Sequence, residues 1–227
     1  MKEHGKMREV EVKLHSPDLA LVQRALHDAG AKLVKERVFE RNLRYDSADG
    51  SLIAGGEVLR LRQDTAVKLT YKSDATLENG IVSRLEAEVT VSDFASMDAI
   101  LRRLGFHVAL VYEKYRETYA LLGAEVVLDE LPFGNFTEIE GDAPTIERVV
   151  AALSLGNCRR IESSYVDLFM DVKARLGMSA RDCTFAAFVD VDVGELFLPP
   201  STPSFMRAQS GLAKASPCNS LIRPSKS

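Results

Sequence analysis

Residues 8–15, Arg-Glu-Val-Glu-Val-Lys-Leu-His, set Glu9, Glu11 and Lys13 in alternation with Val10, Val12 and Leu14. Successive side chains of a strand point to opposite faces, so this stretch is a strand with one charged and one apolar face. The same sorting recurs along the chain. Arg60 and Arg62 oppose Leu59 and Leu61; Lys68, Thr70 and Lys72 oppose Val67, Leu69 and Tyr71; Arg84, Glu86 and Glu88 oppose Leu85, Ala87 and Val89. Lys114 and Arg116 line up with Tyr112 and Thr118, Asp129 ends its strand, and Glu138 and Glu140 flank Ile139.

For one strand, a charged face turned to water is the ordinary reading. Eight strands with charge at their centres call for more. Closing the sheet removes its edges and turns the polar face inward, with helices covering the apolar outside. The expected fold is therefore α+β, an eight-stranded antiparallel barrel with helices packed on it. Its lumen would hold seven acids and eight bases, one positive charge in excess. About two divalent cations would raise that to roughly +5, enough to neutralise an ionised triphosphate. Carboxylates at i and i+2 suit a hard cation, while arginine forks and lysine point charges suit phosphate oxygens. A lattice of purely structural salt bridges is the alternative.

The remaining elements fit one plan used twice. Ser16 reads as an N-cap with Pro17 at the first helical position, followed by an apolar stripe and a stop at Gly30; a second helix spans roughly 93–104 and ends at Gly105. Strands are expected at about 34–46, 57–63, 66–73, 82–92, 107–121, 124–130 and 134–141, with turns at Asp-Gly, Gly-Gly and Asn-Gly. Two final helices are expected at about 144–154 and 164–176. Residues 178–198 read as an extra strand or a linker. The stretch 199–227, with five prolines and no acidic residue, reads as a disordered tail.

Composition narrows the function classes. A net charge of −4 provides no global field for nucleic acid or an acidic membrane, so any anion must meet a local site. No apolar run approaches a membrane span or a secretory signal, and a cytoplasmic location is expected. Cys158, Cys183 and Cys218 lie 25 and 35 residues apart, neither zinc nor disulfide spacing, and read as free thiols. Gly-rich phosphate loops are missing, so side chains must hold any phosphate. Oligomeric state is not legible, although homodimers are common.

In this order, Glu9-Val-Glu11-Val-Lys13, Arg60-Leu-Arg62, Lys68-Leu-Thr-Tyr-Lys72, Arg84-Leu-Glu86-Ala-Glu88, Lys114-Tyr-Arg116, Asp129 and Glu138-Ile-Glu140 closely resemble the CYTH superfamily, the triphosphate tunnel metalloenzymes. The match spans about residues 7–175, within an expected domain of residues 1–177. The resemblance implies an antiparallel tunnel, Mg2+ or Mn2+ dependence, and a small-molecule triphosphate or nucleotide substrate. Glu9, Glu11, Glu138 and Glu140, with Glu88 and Asp129, are then the implied metal ligands. Arg60, Arg62, Lys68, Lys72, Arg84 and Lys114 form the implied phosphate cradle, Lys13 activates or orients the nucleophile, and Arg116 meets the charge that develops. Within the superfamily the strand around Lys72 and the hairpin LDELPFGNFTEIEG look most like class IV adenylyl cyclases, which convert ATP to cyclic AMP and pyrophosphate. Triphosphate hydrolysis is the alternative reaction, and a non-enzymatic triphosphate sensor the alternative class.

Overall fold

The chain closes on itself through its first strand. In the computed structural model, which describes residues 8–194, β1 (Arg8–His15) pairs antiparallel with both β5 (Ile81–Val91) and β8 (Gly134–Glu140). Between them run β4 (Val67–Glu78), β3 (Val58–Gln63), β2 (Lys32–Asp46), β6 (His107–Leu121) and β7 (Ala124–Leu131), giving a closed barrel in the order β1-β5-β4-β3-β2-β6-β7-β8. Exchanging β1–β4 with β5–β8 leaves this map of neighbours unchanged, so the repeated plan seen in the sequence is a repeat of topology.

Turn chemistry fixes the hairpins. Asn79 and Gly80 both carry positive φ, 52° and 73°, as the tight β4–β5 connection requires. Leu122 and Gly123 do the same between β6 and β7.

The helices cover the apolar outer face. Helices α1 (Leu19–Asp28) and α4 (Ala143–Ala152) press Val22, Leu26, Ile146 and Val149 onto Val12, Leu14, Val126, Leu128 and Ile139 of β1, β7 and β8. Truncating a fully buried member such as Ile139 to Ala would cost about 2–5 kcal/mol. The four-residue helix α2 (Ser51–Ala54) links β2 to β3, and α3 (Phe94–Arg103) sets Leu101 on Leu43, Tyr45, Leu59 and Leu61. Helix α5 (Tyr165–Leu176) opens on a capping box of Ser164 and Asp167 and packs Phe169 beside Phe133, Phe136 and Leu110.

Three expectations need correction. Asp18, not Ser16, caps α1, accepting from Leu21 N at 3.1 Å. The β1 ladder runs on past His15, with Ser16 N donating to Asn135 O at 3.0 Å, so the helix starts later. Residues 178–194 supply neither a strand nor a linker. Cys183 makes a single bridge to β6 at Tyr112, and Phe185–Phe188 then turn as a 3-10 helix that buries Phe188. The edge of β6 is free from His107 to Lys114, but beyond Cys183 the backbone turns into the 3-10 helix instead of following it, so no ladder extends from the bridge. Of the cysteines, Cys183 is a buried free thiol and Cys158 is disulfide-bonded rather than free. The expected tail, 199–227, lies outside the described residues.

Candidate functional site

Ladder register turns the charged faces inward and groups their side chains around a cavity of about 650 Å³. All the expected site residues except Asp129 line it; Asp129 lies fully buried in the wall behind. There its carboxylate accepts from Lys114 Nζ at 2.9 Å, Arg116 Nε at 2.7 Å, Arg116 Nη2 at 2.5 Å and the Tyr165 hydroxyl at 2.9 Å. Arg116 Nη2 also donates to Glu138 at 2.6 Å. Lys13 Nζ sits 3.4 Å from Glu138, donates to Ser163 O at 3.3 Å and lies 4.3 Å above the Tyr165 ring.

A second cluster lies on β3, β4 and β5. Glu88 accepts from Lys68 at 2.6 Å and Thr70 at 2.9 Å, with Arg62 3.6 Å away. Lys72 donates to Glu9 at 2.5 Å and stands 3.4 Å from Glu86; Arg84 donates to Glu11 at 3.2 Å. Glu88 and Asp129 are thus held among cations here.

Carboxylates crowd at the rim where β1 and β7 start and β8 ends. The register sets Glu140 of β8 between Glu11 of β1 and Glu125 of β7, directly opposite both. Burial and repulsion from Glu9, Glu125, Glu86 and Glu11 push Glu140 up to about 7. Burial and Glu138 raise Glu11, partly offset by Lys13. Glu138 behaves in the opposite way: burial opposes its charge, yet Lys13, Arg116 and Lys114 hold it well below the carboxylate range.

Among the described residues no three His, Cys, Asp or Glu side chains converge tightly enough to enclose a metal ion. The rim nevertheless fits a hard cation in chemistry, since its donors are all carboxylate oxygens and Glu140 and Glu11, both raised, record negative charge without enough compensation.

Several lumen residues escaped the sequence reading. Glu40, Asn42 and Arg44 of β2 are all buried. Glu40 lies 3.6 Å from both Lys114 and Arg62, and despite burial these cations with Arg116 and Arg60 bring it down to about 2. Alternation across Phe39–Tyr45 carried their signal, but charged Arg41 on the outer face blurred it. Tyr112, in line with Lys114 and Arg116 on the lumen face as the alternation implies, accepts from Arg60 at 3.4 Å, whereas Tyr165 lies outside every strand pattern.

The family model for the CYTH domain matches residues 7–155. The chain belongs to the CYTH family. Two relatives of this CYTH domain carry the name "putative adenylate cyclase". One, from Methanocaldococcus jannaschii, is 28% identical over 174 residues, covering 71% of this chain and 98% of its own. The other, a solved structure from Vibrio parahaemolyticus, superposes with a TM-score of 0.62 at 21% identity over 71% of this chain and 97% of its own. A Hippeastrum protein whose structure is described as revealing a dominant triphosphatase activity superposes at 0.55, with 22% identity over 72% of this chain and 95% of that one. These neighbours share the tunnel fold. No helix among the described residues is long and apolar enough to cross a membrane.

Proposed function

We propose that this CYTH domain is a magnesium- or manganese-dependent enzyme that takes a triphosphate into its lumen, with ATP as substrate and cyclic AMP and pyrophosphate as products. The observation that carries this is a lumen of mixed charge with carboxylates crowded at one rim: basic side chains from β3, β4, β5 and β6 face the cavity, and Glu140 meets Glu11 and Glu125 where β8 ends. A nucleic-acid groove has no use for those carboxylates, and a simple anion binder would do better without them.

Glu9, Glu11, Glu138 and Glu140 are the residues that would hold the metal, which when bound supplies charge neutralisation at the phosphate oxygens. Arg60, Arg62, Lys68, Lys72, Arg84 and Lys114 bind and orient the phosphates. Arg116, locked by Asp129, presents a fixed cation where charge develops. Lys13, seated on Tyr165, orients the attacking oxygen. In cyclisation the ribose 3′-oxygen attacks the α-phosphorus, forming a new P–O bond as the bond to pyrophosphate breaks. The name of the Methanocaldococcus relative supports this reading, as do apolar residues at the cavity's other rim, Ile53, Val58, Leu77 and Val166, where a nucleoside would meet the protein.

Hydrolysis is the second reading, favoured by the predominantly charged lining. It needs only a water at the terminal phosphorus, whereas cyclisation needs the 3′-oxygen held at about 3–3.5 Å from the α-phosphorus. Product analysis with magnesium and a panel of ATP, GTP, thiamine triphosphate and tripolyphosphate decides. Pyrophosphate with cyclic AMP supports cyclisation; orthophosphate supports hydrolysis. Tight metal-dependent binding without any product would replace both with a sensor.

A further inference from the structure

Each of the eight basic residues in the expected cradle, Lys13 and Arg116 included, has a carboxylate oxygen within 3.9 Å. Arg44 does not, among the described residues. It is 7% exposed and lines the cavity, its Nη2 donates to the Glu57 backbone carbonyl, and its buried Nη1 has no hydrogen-bond partner.

The surroundings offer no relief. Across the β2–β3 ladder Arg44 stands directly opposite Arg60, another cation. Besides the Tyr112 hydroxyl, which already accepts from Arg60, the carboxylates whose fields reach it are Asp46 and Asp167, and both are engaged in capping. Asp46 accepts from the backbone of Ser47 at 2.9 Å and Leu52 at 3.1 Å, and Asp167 closes the Ser164 box of α5. Burial lowers the Arg44 pKa, with nearby acids offsetting only part of the effect. An unpaired buried charge costs several kcal/mol, and a guanidinium cannot escape by losing its proton. A directly opposed like-charged pair adds to that cost.

We propose that Arg44 is an anion-binding residue of the lumen, gripping with Arg60 a phosphoryl group of the substrate at the rim where β2 ends and β3 begins. Because the strands alternate in direction, this rim lies opposite the one where β1 and β7 start and β8 ends. Substrate phosphate would then span the tunnel from the carboxylate rim to the Arg44 rim. The assignment rests on the triphosphate reading and extends it to a residue outside the recognised motifs.

The test uses the full chain, inorganic tripolyphosphate with magnesium, and the variants Arg44→Met and Arg44→Lys. Dissociation constants come from calorimetry and unfolding temperatures from melts without ligand. Arg44→Met should weaken binding about 10-fold or more, since a charge-assisted hydrogen bond is lost. Its ligand-free melting temperature should hold or rise, because an unpaired buried cation has gone. Arg44→Lys, which keeps charge but not the fork, should fall between. Equal binding by wild type and Arg44→Met, with a lower melting temperature in the variant, would reduce Arg44 to a strut for Glu57 and overturn the assignment alone. No binding by wild type would sink the triphosphate reading and this assignment together.

Discussion

Arg116 and Asp129 face each other across the β6–β7 ladder and join by two parallel hydrogen bonds, 2.7 Å at Nε and 2.5 Å at Nη2. Lys114 and Tyr165 complete the shell of Asp129, leaving its carboxylate saturated. Asp129→Ala would leave two cations in a buried wall with Glu40 and Glu138 as their remaining partners. It should therefore destabilise the domain by about 3–5 kcal/mol, the penalty for breaking a buried pair from one side. Urea unfolding measures it. A loss under about 1 kcal/mol would mean that the network does not hold the wall together.

Glu9→Gln with Glu11→Gln should abolish turnover and leave the barrel folded. Lys72 keeps Glu86 at 3.4 Å when Glu9 is neutralised, so no lumen cation near the change loses every acidic neighbour except Arg84. What disappears is half of the acidic rim on which a divalent cation would sit. Activity assays with and without excess chelator decide it, checked by circular dichroism. Full turnover by the variant, or in chelator, would defeat metal dependence.

Stability should respond to pH through two groups of opposite sign. Glu140 moves from 4.5 to about 7 in the folded state, through burial and its acidic neighbours. Folded protein thus holds the extra proton between those values, and stability falls as pH rises through the window. His15 moves from 6.5 down to about 4, through burial and Arg159, so its contribution is lost as pH falls from 6.5 towards 4. Because the windows overlap, the variant isolates the first effect. Metal-free Glu140→Gln should melt above wild type at pH 8, and the gap should close by pH 4.5. A gap independent of pH would contradict the crowded-carboxylate account.

Legibility followed the strength of alternation. Where one face is wholly apolar and the other charged, as in Glu9–Lys13 or Arg84–Glu88, strand, face and lumen position could all be read. Period 2 leaves no freedom once one face must be buried. The β2 residues Glu40, Asn42 and Arg44 were lost because both faces there carry charge. The segment after Gly177 misled for another reason. FVDVDV alternates like a strand, but the chain entering it coils at Phe185–Phe188 into a 3-10 helix that buries Phe188. The period-2 pattern alone does not report that turn.

Tyr165 shows how much an ordinary helix residue can carry. It is the first residue of α5, beyond the last position that the family model matches, and lies outside the strand patterns that mark the lumen. In the structure it does two separable things. Its hydroxyl donates to Asp129 at 2.9 Å, and its ring lies 4.3 Å beneath Lys13 Nζ. Tyr165→Phe removes only the first and should cost about 0.5–1.5 kcal/mol of stability, with turnover close to wild type. Tyr165→Leu removes the ring as well. Lys13 then keeps Glu138 and Ser163 O but loses the surface that fixes its height in the tunnel, a contact worth about 0.5–2 kcal/mol. Turnover should therefore fall several-fold further in Tyr165→Leu than in Tyr165→Phe. Denaturant unfolding and kcat for both variants separate the roles. If Tyr165→Phe lowers kcat as much as Tyr165→Leu, the hydroxyl, and not the ring, positions the catalytic lysine.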